Sequence, residues 1–106
     1  MRERVFLDVD PATLLLPPSR MDGADPIKLT RQISRFGASN QGMPDIYVYR
    51  DRAGLLMIWE GVTRATRIAM LAPGSTVRVE VLETKDRDLS RLPKVEERLL
   101  WRPRRD

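Results

Sequence analysis

The chain of 106 residues contains no cysteine and no histidine. Without a thiol there is no disulfide framework, no thiolate nucleophile and no thiolate metal site. Without an imidazole there is no Ser-His-Asp triad and no histidine base. Any catalysis must therefore come from carboxylates, arginine, lysine, hydroxyls, or a metal held by oxygen ligands. Lysine is scarce as well: of 19 basic residues only Lys28, Lys85 and Lys94 are lysine. No run approaches the roughly 18–20 apolar residues of a membrane span. The start, Met1-Arg2-Glu3-Arg4-Val5, has no long apolar stretch behind it, so no signal peptide is expected. The expected setting is the cytoplasm, or delivery as part of a larger secreted protein, with no membrane partner.

What is present points to one globular domain with a modest core, since 42% of the residues are apolar. The net charge of +4 is unevenly spread. Arg98, Arg102, Arg104 and Arg105 against Asp106 leave +3 in residues 98–106, and residues 1–97 stand near +1. A body coated with positive charge would suggest a DNA-covering surface. This distribution points instead to a local site in a domain over 1–97, followed by a basic tail over 98–106 able to contact a protein partner or nucleic acid.

Periodicity places the elements. Val5, Leu7 and Val9 alternate with Phe6 and Asp8 as a short strand, and Leu14-Leu15-Leu16 is an apolar patch stopped by Pro17-Pro18. Asp25 as N-cap, Pro26 at the first helical position and Gly37 after the last turn bound a helix, with Leu29, Ile33 and Phe36 on its apolar side. Lys28, Arg31 and Arg35 read as its solvated side. Residues 46–50 and 55–59 form a hairpin through Asp51-Arg52-Ala53-Gly54. A second helix covers about 62–71, with Val62, Ala65, Ile68, Ala69 and Ala72 as its buried stripe. Val77, Val79 and Val81 mark a last strand, expected to return beside 55–59 as a right-handed crossover. Beyond Glu83 the pattern weakens, with one short helix expected over 96–101, Trp101 as an anchor and a disordered basic end. The fold class is α+β: a small mixed sheet with two main helices.

The chemistry concentrates where the run Leu55 to Trp59 meets Glu60-Gly61-Val62-Thr63-Arg64. A strand turning through glycine into a helix gathers unpaired backbone N–H groups and the positive end of the helix dipole, which suits a phosphate. Gly61 serves either as a turn needing positive φ or as a point of close anion approach. Thr63 either caps the helix or donates to a phosphate oxygen. Arg64 stands against the local dipole, which implies a ligand or a pairing with Glu60 or Asp45. Arg67, one turn on, either joins Arg64 in a clamp or lies on a solvated face. Glu60 is the carboxylate adjoining the turn, a candidate catalytic base, metal ligand or partner of Arg64; a metal-assisted nuclease would need a second carboxylate, Asp45 or Asp51, around a divalent ion. Tyr47, Tyr49 and Trp59 either stack bases or cover one another.

Several of these landmarks together resemble the N-terminal domain of ParB-type partition proteins and the wider sulfiredoxin-like superfamily, over roughly residues 4–83. They are Leu29-Thr-Arg-Gln-Ile-Ser-Arg-Phe-Gly37, Pro44 before a strand, the turn Trp59-Glu60-Gly61-Val62-Thr63-Arg64, and the strand from Val77 to Leu82 after Pro73-Gly74. The resemblance implies a ParB/sulfiredoxin-like fold and a phosphate pocket at Gly61 and Arg64, toward which the first loop brings Arg20. Val62 stands where sulfiredoxins carry their cysteine, so sulfinic-acid repair is excluded. Val62 and Thr63 also replace the glutamate and first arginine of the partition-protein turn. Some relatives with this fold are nucleases, including domains of secreted bacterial toxins. The expected function is binding of a nucleotide or nucleic acid, with nuclease or nucleotide hydrolase activity as its enzymatic form; the alternative is a catalytically silent protein-interaction module. The tail generates a first prediction. Truncating residues 102–106 removes Arg102, Arg104 and Arg105, so it should weaken nonspecific DNA binding and flatten its salt dependence while leaving the thermal unfolding curve unchanged. An unchanged salt slope would remove the tail from the nucleic-acid contacts.

Overall fold

The computed structural model describes residues 3–99. Its elements run in the order β1 (Val5–Val9), α1 (Pro26–Phe36), β2 (Ile46–Arg50), β3 (Leu56–Glu60), α2 (Val62–Leu71) and β4 (Val77–Thr84), with 3-10 turns at Pro11–Thr13, Pro18–Arg20 and Val95–Arg98. This is an α+β domain built on a mixed four-stranded sheet of order β1-β4-β2-β3. No helix among the described residues is long and apolar enough to cross a membrane.

Local chemistry accounts for the helix boundaries. The Asp25 carboxylate accepts the amides of Ile27 and Lys28 at 2.8 and 3.3 Å, Pro26 opens α1, and the Gly37 N–H closes it on the Ile33 carbonyl. Of the apolar side expected for α1 only Leu29 is buried, while Phe36 is 52% exposed. The helix lies on α2 rather than on the sheet. The helix α2 turns Ala65, Ile68 and Ala69 onto Ile46, Val48, Ile58 and Val79, and these form the core with Leu14, Leu16, Val77, Val81 and Val95. On the other side of the sheet Phe6, Asp8, Tyr47, Tyr49, Met57, Trp59 and Arg78 are all at least partly exposed.

The strand order differs from the sequence-based expectation. The strand β4 lies parallel to β2 and antiparallel to β1; it does not sit beside β3. The outer edge of β3 is already taken by Leu15, whose N–H donates to the Leu56 carbonyl and whose carbonyl accepts from Ile58 N–H, both at 2.9 Å. Leu15 is in turn bridged to Lys94. With that edge sealed, the free side of β2 is where β4 inserts, and its alternating valines fill the middle of the sheet.

The stretch after β4 is also more structured than its composition suggests. Leu16 N–H donates to the Pro93 carbonyl and Val95 N–H to the Leu14 carbonyl, each at 2.8 Å. Within the described part of the helix expected over 96–101, residues 96–99, the chain forms a 3-10 turn at Val95–Arg98 instead, and Leu99 packs against the core. The tail expected over 98–106 is therefore anchored at Arg98 and Leu99, while residues 100–106, Trp101 among them, lie outside the described residues.

Asp51 ties this stretch to the hairpin. It is 2% exposed, and its carboxylate accepts the amides of Ala53 at 3.0 Å, Leu55 at 2.9 Å and Leu89 at 3.1 Å. These amides, Leu89 first, hold its carboxyl below the usual carboxylate range against the opposing effect of desolvation. A depressed pKa contributes stability that is fully present above the unfolded value, about 3.9, and is lost as pH falls through the lower folded value. Asp51→Asn should therefore lower the melting temperature at neutral pH and reduce the difference between melts at pH 7 and below pH 4. Equal melts for variant and parent at both pH values would contradict this role.

Candidate functional site

The turn that the sequence marks out is sterically dictated. Gly61 has φ 119° and ψ 22°, and a Cβ there would lie 2.9 Å from Ile46 Cγ1. Both the left-handed backbone and the space under Ile46 therefore require glycine. Gly61 caps α2, so Thr63 sits inside the first turn rather than at the cap; there is no capping side chain and no acid in that turn. The N–H groups opening α2 thus present the positive end of its dipole without a side-chain acceptor.

This helix end forms one wall of a cleft of about 480 Å³. Trp59, Glu60, Gly61, Thr63 and Arg64 line it from the turn, Arg20 and Ser19 from the segment before α1, and Lys28 and Gln32 from α1 itself. The cleft therefore brings Arg20 together with the turn residues. Lys28 and Gln32, assigned to no site from the sequence, complete it. Their four-residue spacing puts them on one side of α1, but only the docking of that side against α2 reveals what they face.

Arg64 bridges the turn and the start of β2. Its Nη2 donates to the Asp45 carbonyl at 2.9 Å, while its Nε is buried without a hydrogen-bond partner. Pairing with a carboxylate, one of the expected alternatives, does not occur among the described residues. The Asp45 carboxylate instead receives Arg78 through two bonds of 3.0 Å, which depresses its pKa, and Glu60 makes no ion pair among the described residues. Arg20 and Lys28 likewise have no ion-pair partner among the described residues. Asp25, also in the lining, is committed to its two amides, which hold its carboxyl low.

Arg67 belongs elsewhere. Neither a solvated face nor a wall of this cleft describes it: it is 1% exposed, and its Nη1 donates to the carbonyls of Gly37 and Ser39 at 2.7 Å each. Gln32 Oε1 and Met43 Sδ lie at 3.4 Å from Nε and Nη2. Phe36 covers the guanidinium at 5.3 Å. The group therefore staples the end of α1 and the following loop onto α2. It does line a smaller cavity of about 200 Å³ on that side, which Arg64 also reaches.

The second carboxylates considered for a metal do not join Glu60. Asp45 is turned to Arg78, and Asp51 lies at the opposite end of the hairpin bound to three amides. No group of three acidic, histidine or cysteine residues suited to a metal ion occurs among the described residues.

These contrasting arginines yield a prediction. Arg67→Met should cost about 3 kcal/mol or more in chemical denaturation, because two short bonds from a charged donor are lost at about 1.5–3 kcal/mol each. Recovery by Arg67→Lys should be poor, since an ammonium cannot reproduce the planar fork. A loss under about 1 kcal/mol would show that the loop holds itself.

No known family model, curated protein or solved structure matches the chain, so a functional reading must stand on the cleft and its chemistry.

Proposed function

We propose that this is a domain of the ParB/sulfiredoxin-like type that binds a phosphate-bearing ligand, a nucleotide or nucleic acid, in the cleft at the start of α2. One observation carries the reading. Arg20, Lys28 and Arg64, from separate segments, converge on the uncapped end of α2 and have no ion-pair partner among the described residues. Three cations outnumber the two carboxylates of the lining, Asp25 and Glu60; Asp25 attracts Arg20 and Lys28, yet a net positive charge remains beside a positive helix end, and a bound polyanion neutralises it. Guanidinium forks and backbone N–H groups are the donors that phosphate oxygens accept best.

Binding is the core of the proposal. Hydrolysis of nucleic acid is the activity to test first, and within the cleft it would rest on Glu60, because Asp25 is occupied by the amides of Ile27 and Lys28.

A panel of nucleoside triphosphates and oligonucleotides should raise the melting temperature. Stabilisation follows RT ln(1 + [L]/Kd), about 2.7 kcal/mol at 100 times Kd. Arg64→Ala should change the stability of the free protein by no more than about 1 kcal/mol, since one neutral-acceptor bond is lost while a cation leaves the positive helix end. The same variant should lose about 1.5–3 kcal/mol of ligand affinity. A flat response across the panel at millimolar concentration would overturn the proposal.

A further inference from the structure

We propose that the cleft's ligand is single-stranded nucleic acid, held by a phosphate at the start of α2 and by a base stacked on Trp59, where the cleft opens onto the uncovered face of the sheet. The inference rests on the phosphate reading of the cleft and specifies what is attached to the phosphate.

The register of the hairpin presents the indole. Tyr47 faces Glu60 across the ladder, while Val48 faces Ile58. Trp59 is therefore the extra residue of a bulge, without a partner on β2. Bulges re-aim side chains, and this one leaves Trp59 60% exposed at the rim of the cleft. An indole is the largest apolar side chain, and leaving most of one in water forgoes much of the burial it offers. Nothing among the described residues covers it.

Its orientation is held. The Tyr49 ring meets Trp59 at 5.4 Å between centroids with an interplanar angle of 66°, an edge-to-face contact that steadies the indole while leaving a face open. On the far side of this pair Lys85 Nζ stands 4.6 Å from the centre of the Tyr49 ring. A continuous path thus leads from Arg64 and the helix end, over Trp59, to Tyr49 and Lys85. Lys85 also pairs with the half-exposed Glu83; such a surface pair is weak and gives way to a phosphate at little cost.

That order of groups, a phosphate site, a ring with a free face and a second cation, is the alternation of phosphate and base that a single strand presents. A mononucleotide would leave the Lys85 end unused. A duplex keeps its bases stacked inside, where a flat indole on a sheet cannot reach them.

The test compares four probes: a short oligothymidylate, the same sequence as a duplex, thymidine triphosphate, and inorganic tripolyphosphate. The parent chain should bind the single strand more tightly than the mononucleotide or the duplex. Trp59→Leu should weaken the single strand roughly 5- to 150-fold, the range for losing one base stack, and leave tripolyphosphate binding unchanged. Trp59→Phe should retain most of the affinity. In a Trp101→Phe background Trp59 is the sole tryptophan, and its fluorescence should be quenched by the single strand but not by tripolyphosphate. Equal unfolding curves for parent and Trp59→Leu confirm that the comparison is between folded proteins. Duplex binding as tight as the single strand, or single-strand affinity indifferent to Trp59→Leu yet lowered by Arg64→Ala, would overturn this inference and leave the phosphate cleft standing. No binding of any probe would remove both.

Discussion

The placement of α1 depends on one buried guanidinium. This helix buries little apolar surface of its own, with Leu29 alone fully covered, so hydrophobic contact gives it weak reason to stay against α2. Arg67 supplies the missing link by reaching from α2 to the carbonyls that close α1 and begin the next loop. Burying an arginine without a carboxylate is costly, and burial indeed lowers its pKa from the ordinary value, although a guanidinium stays protonated. The charge is tolerated because the carbonyls at the end of α1 form the negative pole of a helix dipole, aimed at the cation. The bonds that Arg67 makes to the end of α1, with Gln32 beside its Nε, thus also fix where Lys28 stands toward the other end, and with it one wall of the cleft.

That relation also explains how much of the molecule could be read in advance. The caps of α1, the hairpin of β2 and β3, and the start of α2 are local events, written in Asp25-Pro26, Asp51 to Gly54 and Gly61 within a few residues of where they act. The position of β4 is not local. It depends on which strand edge is vacant, and that depends on Leu15 occupying the edge of β3, a pairing of residues far apart in the chain. Likewise the stretch after β4 has no periodicity, yet Pro93 and Val95 pair with Leu14 and Leu16 because that segment offers unpaired backbone groups. Arg67 misleads for a different reason: a charged residue on a helix usually marks water, and only the acceptors of a distant loop reverse that preference.

The candidate site divides along the same line. Its turn half, Glu60 to Arg64, is contiguous and carries its chemistry on the surface of the sequence. Its other half is assembled by tertiary packing from the segment holding Arg20 and from one side of α1. The carboxylates follow suit. Asp45 and Asp51 stand near the turn in sequence and read as candidate metal ligands, whereas in the fold each is spent on holding the sheet together, one through Arg78 and the other through three amides. What remains in the cleft is an excess of donors over acceptors.

The two borders of the sheet are unequal. One is closed by Leu15 and, behind it, Lys94; the other is β1, whose Val5-Phe6-Leu7-Asp8-Val9 stretch has no proline, lysine or bulge to discourage pairing. The cleft lies beside β3, three strand spacings from β1 in the order of the sheet, or roughly 14 Å. Growth of the sheet and occupation of the cleft are therefore insulated from each other. A strand joined at β1, whether from a longer chain or a neighbouring molecule, would extend the scaffold sideways without shading Trp59, Arg64 or the head of α2, so the domain can be built into a larger architecture with its cleft still facing solvent.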